Sequence, residues 1–161
     1  MNKQAFTLIE LLVVVLIIGI LASMAMPGYV RAIEKSRSAE AMNMVKNIND
    51  AVYAYAAERS ECPPSFSKLL IEVPGTGNTA GTEVTGKDFV YKLNAATAFP
   101  IPGTSCGGVI AERTDGSYQI WNPYKVINEE SKKRTLACTS SEQKGIDLCK
   151  SLGIYTSETP L

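Results

Sequence analysis

Between Phe6 and Met26 only Thr7, Glu10, Gly19 and Ser23 interrupt an otherwise continuous apolar run. As a helix, at about 1.5 Å per residue, this run would extend roughly 31 Å, the thickness of a bilayer's hydrocarbon core. Pro27-Gly28 closes it, since proline gives up a backbone hydrogen bond and crowds the preceding turn. From Tyr29 to about Arg59 the pattern turns amphipathic. Ala41, Val45, Ile48, Val52 and Tyr55 recur at steps of four, three, four and three, while Arg31, Glu34, Lys35, Arg37, Glu40, Lys46, Asn47 and Asp50 fall mostly on other faces. Cys62-Pro63-Pro64 ends the periodicity. The pattern predicts a helix over residues 6–60, roughly 80 Å long if unbroken. Its first half suits an apolar medium; its second half suits packing against a globular domain.

Beyond the helix the period shortens. Phe66, Leu69, Leu70 and Val73 predict a short helical turn, and residues 74–82 read as a polar, glycine-rich surface loop. That loop lacks the Gly-Lys-Ser/Thr ending of a phosphate loop. Strands are predicted at 88–93, 108–113, 118–121 and 134–138, with Asp115-Gly116 as a hairpin turn and a loop carrying Pro100 and Pro102. They make a small antiparallel sheet of three or four strands laid on the amphipathic half-helix. Ser140-Ser141-Glu142 would cap a short helix reaching Leu152, with Gly153 as its stop and residues 154–161 as a loosely held tail. The fold class is α+β.

Composition narrows the function. The 161 residues carry 16 Lys+Arg against 16 Asp+Glu and no histidine. A net charge of zero provides no field to gather nucleic acid, and the lack of histidine removes His-based triads and most zinc sites. Glu112 with Asp115, or Glu129 with Glu130, could be imagined as acid/base pairs, but no nucleophile–base pair or cofactor motif joins them. Hairpin edges and turns commonly carry such charges. Lys132-Lys133-Arg134 with Lys125 nearby reads as a solvated basic loop beside Glu129 and Glu130. Asp115, Glu129, Glu130, Glu142 and Asp147 are too scattered for a calcium loop. No enzyme activity, metal or cofactor is expected.

Three readings compete for the apolar run. A secretory signal would use Lys3 and a small-x-small site at Ser23-Met24-Ala25, but the run is long for one. A plain anchor leaves Glu10 unexplained, because a carboxylate inside a membrane costs about 2.5–3.5 kcal/mol and marks a partner or function. The third reading uses every oddity. Met1-Asn2-Lys3-Gln4-Ala5 followed by Phe6-Thr7-Leu8-Ile9-Glu10-Leu11-Leu12 resembles the class III signal of type IV pilins and pseudopilins. The resemblance implies a leader over residues 1–5, cut by a prepilin peptidase between Ala5 and Phe6. N-methylation of Phe6 would follow. The residue before the cut is usually glycine, and Ala5 departs from that pattern. Residues 6–27 would be the transmembrane and filament-core half of the helix, and 28–161 the amphipathic half with the head domain.

The same resemblance gives the other residues roles. The Glu10 carboxylate would meet the amino terminus of Phe6 on a neighbouring subunit; its simpler alternative is a hydrogen bond to Thr7 in its own helix. Gly19 and Pro27 would bound a stretch that kinks or melts on assembly. Four cysteines beyond the apolar run, none in a Cys-x-x-Cys pair, suggest two disulfides with three possible connectivities. The expected pairing is Cys62–Cys106, tying the helix end to the sheet, and Cys138–Cys149, which resembles the C-terminal disulfide loop of many pilins.

The implied function is a pilus subunit for adhesion, motility or DNA uptake, a homopolymer handled by an assembly machinery. It would sit in the inner membrane before assembly and in an extracellular filament afterwards. Alternatives are a type II secretion pseudopilin in a periplasmic pseudopilus and a minor pilin binding DNA or a receptor. Counting Arg31, Lys35 and Arg37 against Lys3 would place the C-terminal side in the cytoplasm; the leader and the downstream cysteines favour the opposite orientation.

Overall fold

The computed structural model describes residues 7–100, 106–122 and 136–157. The chain divides into two compact units, residues 1–36 and 37–161. Helix α1, Leu8–Arg59, runs through both. In the first unit it is an isolated helix, and every described residue from 7 to 32 is exposed. Thr7 and Glu10 start it as a reciprocal capping box, with the Thr7 backbone N–H donating to the Glu10 carboxylate at 2.9 Å and Thr7 Oγ1 accepting from the Glu10 N–H at 3.3 Å. At the other end Ser60 adopts φ +56°, and its N–H reaches the Ala56 carbonyl at 2.8 Å. This left-handed closing residue and the two prolines after Cys62 stop the helix.

In the second unit α1 buries Ser38, Ala41, Val45, Ile48, Asn49, Val52 and Ala56. That stripe has the predicted helical period, although Ala56 rather than Tyr55 is its fully buried last member. The opposing layer is a six-stranded antiparallel meander in the order β1-β2-β3-β4-β5-β6. The strands are Thr76–Gly77, Glu83–Thr85, Phe89–Pro100, Gly107–Arg113, Gln119–Trp121 and Ala137–Thr139. Helix α2, Gln143–Ser151, follows β6. Val84, Tyr91, Val109, Ala111, Ile120 and Cys138 join the α1 stripe in one core.

The opposite sheet face is buried too along β4, β5 and β6. Ile110, Trp121 and Ala137 face one another across three strands in register and form a second cluster. Burial on both faces explains why Gly107–Ala111 reads as an uninterrupted small and apolar run rather than an alternation.

The sheet is larger than the three or four strands expected. Residues 74–82 are not loop throughout: β1 pairs with β2, and Asn78 ties the turn by accepting the Thr82 and Glu83 N–H groups. Strands of two and three residues are too short to carry a readable period. β3 also runs on through residues 94–100, where a proline-marked loop was expected, with register shifts on either side of Ala96. Pro100 sits at the strand's last position, where its missing N–H costs least.

The tail departs from expectation as well. Cys138 N–H donates to the Ile154 carbonyl at 2.7 Å, Thr156 N–H donates to the Cys138 carbonyl at 2.9 Å, and Tyr155 bridges Cys138 in parallel. Residues 154–156 are therefore held along β6. Before α2, Ser140 Oγ accepts the Glu142 N–H, but Glu142 occupies the cap position without a side-chain cap bond. Gly153, at φ +73°, ends that helix as expected.

Candidate functional site: an exposed apolar helix with an internal carboxylate

The apolar half of α1 is long and apolar enough to cross a membrane. Leu8, Ile9, Leu11, Leu12 and the aliphatic residues that follow stay at least about half exposed, so this surface has no intramolecular partner in the described chain. An exposed apolar area of this extent marks an interaction surface or a lipid-facing one. Glu10 lies one turn inside it. Both of its carboxylate bonds come from Thr7, the backbone N–H at 2.9 Å and Oγ1 at 2.7 Å. Ala5 and Phe6 lie outside the described residues, so only Glu10's own-helix bonding is placed by the structure.

Gly19 has open space where a Cβ would be, and Pro27 lies inside the helix without ending it. Ser23 Oγ donates to the Ile20 carbonyl at 2.7 Å, one turn back. The segment from Gly19 to Pro27 therefore combines a residue of low helix propensity, a side chain bonding the backbone and a missing N–H.

In the second unit the bonded cysteines are Cys62 with Cys106 and Cys138 with Cys149, at Cα separations of 5.3 and 5.5 Å. The first joins the segment after α1 to the residue before β4. The second fastens α2 to β6. Two further ties link α1 to the sheet. Ser38 Oγ and Tyr118 Oη share a hydrogen bond at 2.9 Å, and Val109 N–H donates to Asn49 Oδ1 at 3.0 Å. Both are buried. Pattern reading passed over Ser38 and Asn49, although they fall on the same helical stripe as Ala41, Val45 and Ile48. A polar residue in phase with an apolar stripe was the available signal.

The charged groups have structural duties. Asp88 accepts from Arg113 Nη1 through its carbonyl at 2.7 Å and its carboxylate at 3.2 Å, and Arg37 Nε approaches the same carboxylate at 3.4 Å. These groups flank a cleft that also includes Glu40 and Tyr91. Burial, then the nearby Glu40 and Asp88 carboxylates, push the Tyr91 hydroxyl up to about 12. Glu112 pairs with Lys92 across β3 and β4. Asp115 accepts the Ser117 N–H at 2.9 Å in the hairpin turn, and bonding from Ser117 holds its carboxyl below the usual range. The two acids considered for acid/base work are thus engaged in a ladder pair and a turn. Lys125, Glu129, Glu130 and residues 132–134 lie outside the described residues.

Comparison with known proteins adds an independent line. Residues 1–26 match the prokaryotic N-terminal methylation motif. The chain is similar to the type IV major pilin protein PilA of Myxococcus xanthus, 31% identical over 78% of this chain and 58% of that protein. It is also similar to the type IV major fimbrial protein FimA of Dichelobacter nodosus, 28% identical over 86% of this chain and 89% of that protein. The type IV narrow pilus major component of Thermus thermophilus is 32% identical over 55% of this chain and 74% of its own length. No solved structure matches significantly. With the methylation motif on an apolar helix, an antiparallel sheet against that helix's second half and relatives of this kind, the chain belongs to the type IV pilin family.

Proposed function

We propose that the protein is the structural subunit of a type IV pilus, polymerising through the apolar half of α1 into an extracellular filament. The observation that carries this reading is the run of exposed apolar side chains after Thr7, with one carboxylate in its first turn. Such a surface is stable in lipid or against another apolar surface, which a second copy of the same helix supplies. The subunit waits in the inner membrane and then moves into the filament core, so one helix serves both apolar surroundings. Residues 1–5 are the leader. A prepilin peptidase cuts between Ala5 and Phe6, Phe6 is N-methylated, and an assembly machinery drives polymerisation. Residues 6–27 supply the core contacts, and the stretch from Gly19 to Pro27 is where the helix opens on assembly.

Glu10 provides register. In the single chain its carboxylate is satisfied by Thr7. In the filament it turns to the new amino terminus of Phe6 on a neighbour, a charge pair that an apolar core tolerates only when complete. Function lies in assembly rather than catalysis. Mass spectrometry of sheared extracellular material tests the reading. A methylated Phe6 at the N-terminus is expected, and fibres carrying intact Met1 would overturn it.

A further inference from the structure

Three ties, two buried hydrogen bonds from α1 and the disulfide just after it, lead to one region of the sheet. From the N-terminal side of α1 they run Ser38 to Tyr118, the residue before β5, Asn49 to Val109 in β4, and Cys62 to Cys106, the residue before β4. None of the three reaches β1, β2 or β3. On that side α1 packs against Val84 and Tyr91 in the shared core, and the Arg37–Asp88 ion pair, whose side chains are 38% and 28% exposed, contributes little. Asn49 is notable because its Oδ1 holds the Val109 N–H while its Nδ2 is buried with no hydrogen-bond partner among the described residues. Buried polar groups left partly unsatisfied cost stability and are known to fix register. In the chain, however, β1, β2 and β3 lie between Cys62 and Cys106.

We infer that the Cys62–Cys106 bridge is a mechanical shunt. Tension arriving along α1 passes through it to Cys106 and into β4, so the 63–105 backbone, with β1, β2 and β3, is not pulled end to end. The inference rests on the pilus reading, because a filament subunit held by its apolar helix receives its load through α1. Without the bridge, a pull that lifts α1 from the sheet would continue through residue 63 and unravel β1, then β2, then β3. With it, the pull stops at Cys62 and must next shear β4, held between β3 and β5. The Asn49 bond reaches Val109, close to the bridge's far end at Cys106, so the segment 49–62 is fastened at both ends to the start of β4.

Stretching single full-length chains in detergent between handles at the two termini tests this, with oxidised wild type compared with C62S/C106S. The bridge spans 44 residues. At about 3.4 Å per residue, the variant should release about 150 Å more chain, and release it immediately after α1 detaches, at forces that leave β4 intact in the oxidised protein. Should the variant fail to fold, folded wild type reduced under tension is the comparator. Loss of β1–β3 at the same force, in the same order, with and without the bridge would overturn the shunt. The measurement does not require fibres, so a chain that shows the shunt but never enters fibres would count against the pilus reading alone.

Discussion

Ser60 closes α1 in the left-handed region, where a Cβ crowds the backbone. Ser60→Gly should stabilise the second unit by about 0.5–1 kcal/mol, read by denaturant unfolding of the oxidised protein. Gly145 poses the opposite problem. A Cβ there would sit 2.5 Å from the Ser117 carbonyl oxygen and closer still to Ser140 Oγ. Helix propensity favours Gly145→Ala by up to about 1 kcal/mol, but the close backbone approach should win and cost about 1–3 kcal/mol. Asn49→Ala should also cost about 1–3 kcal/mol, since it strands the buried Val109 N–H. Tyr91 gives a pH signature. Its hydroxyl is neutral in the fold up to about 12, while in the unfolded chain it ionises near the ordinary tyrosine value of about 10. Its contribution is therefore complete below pH 10 and is lost as pH climbs through 12. Tyr91→Phe should flatten that alkaline decline in unfolding experiments, and an unchanged profile would place the titration elsewhere.

At the scale of elements, helices were legible and short strands were not. The stripe from Ala41 to Val52 persists over enough turns for period 3.6 to stand out, and Pro63-Pro64 marks the stop. β4 and β5 were legible because Asp115-Gly116 fixes a turn between β-branched and aromatic residues: Gly116 takes φ +76° and its N–H donates to the Arg113 carbonyl. β1 and β2 have only two and three residues, and their pairing depends on the Asn78 side chain rather than on a pattern. The run at 154–156 escaped notice because its partner, Cys138, is remote in sequence and no alternation precedes it. The candidate site was read from an uninterrupted apolar run, which needs no tertiary context. The ties at Ser38 and Asn49 depend on which sheet atoms face the helix, which a single sequence does not state. Among the elements, α2 relies most on a covalent link. Replacing Cys138 and Cys149 by serine should cost about 2–4 kcal/mol and free α2 from β6 first, visible as loss of amide protection over residues 143–151 before that of β4.

For the molecule as a whole, the two units meet different demands. The first is exposed from residue 7 to 32 and largely apolar as far as Met26; the second buries its own core and carries both disulfides. Changes in one should therefore leave the other's stability unaltered. Glu10→Val makes the first unit more apolar, so membrane insertion should persist while incorporation into fibres falls at least tenfold, measured as sheared protein relative to total. Assembly at the normal rate would refute the role given to Glu10. The division also has a practical use. Trp121, the chain's one tryptophan, lies fully buried among Ile110 and Ala137, and the apolar half of α1 has no indole at all. Tryptophan emission, excited at wavelengths that tyrosines such as Tyr29 do not absorb, therefore reports on residues 37–161 alone. In vesicles, in detergent or in intact fibres, the emission maximum gives the folded fraction of that unit without a label and without interference from the helix that holds it.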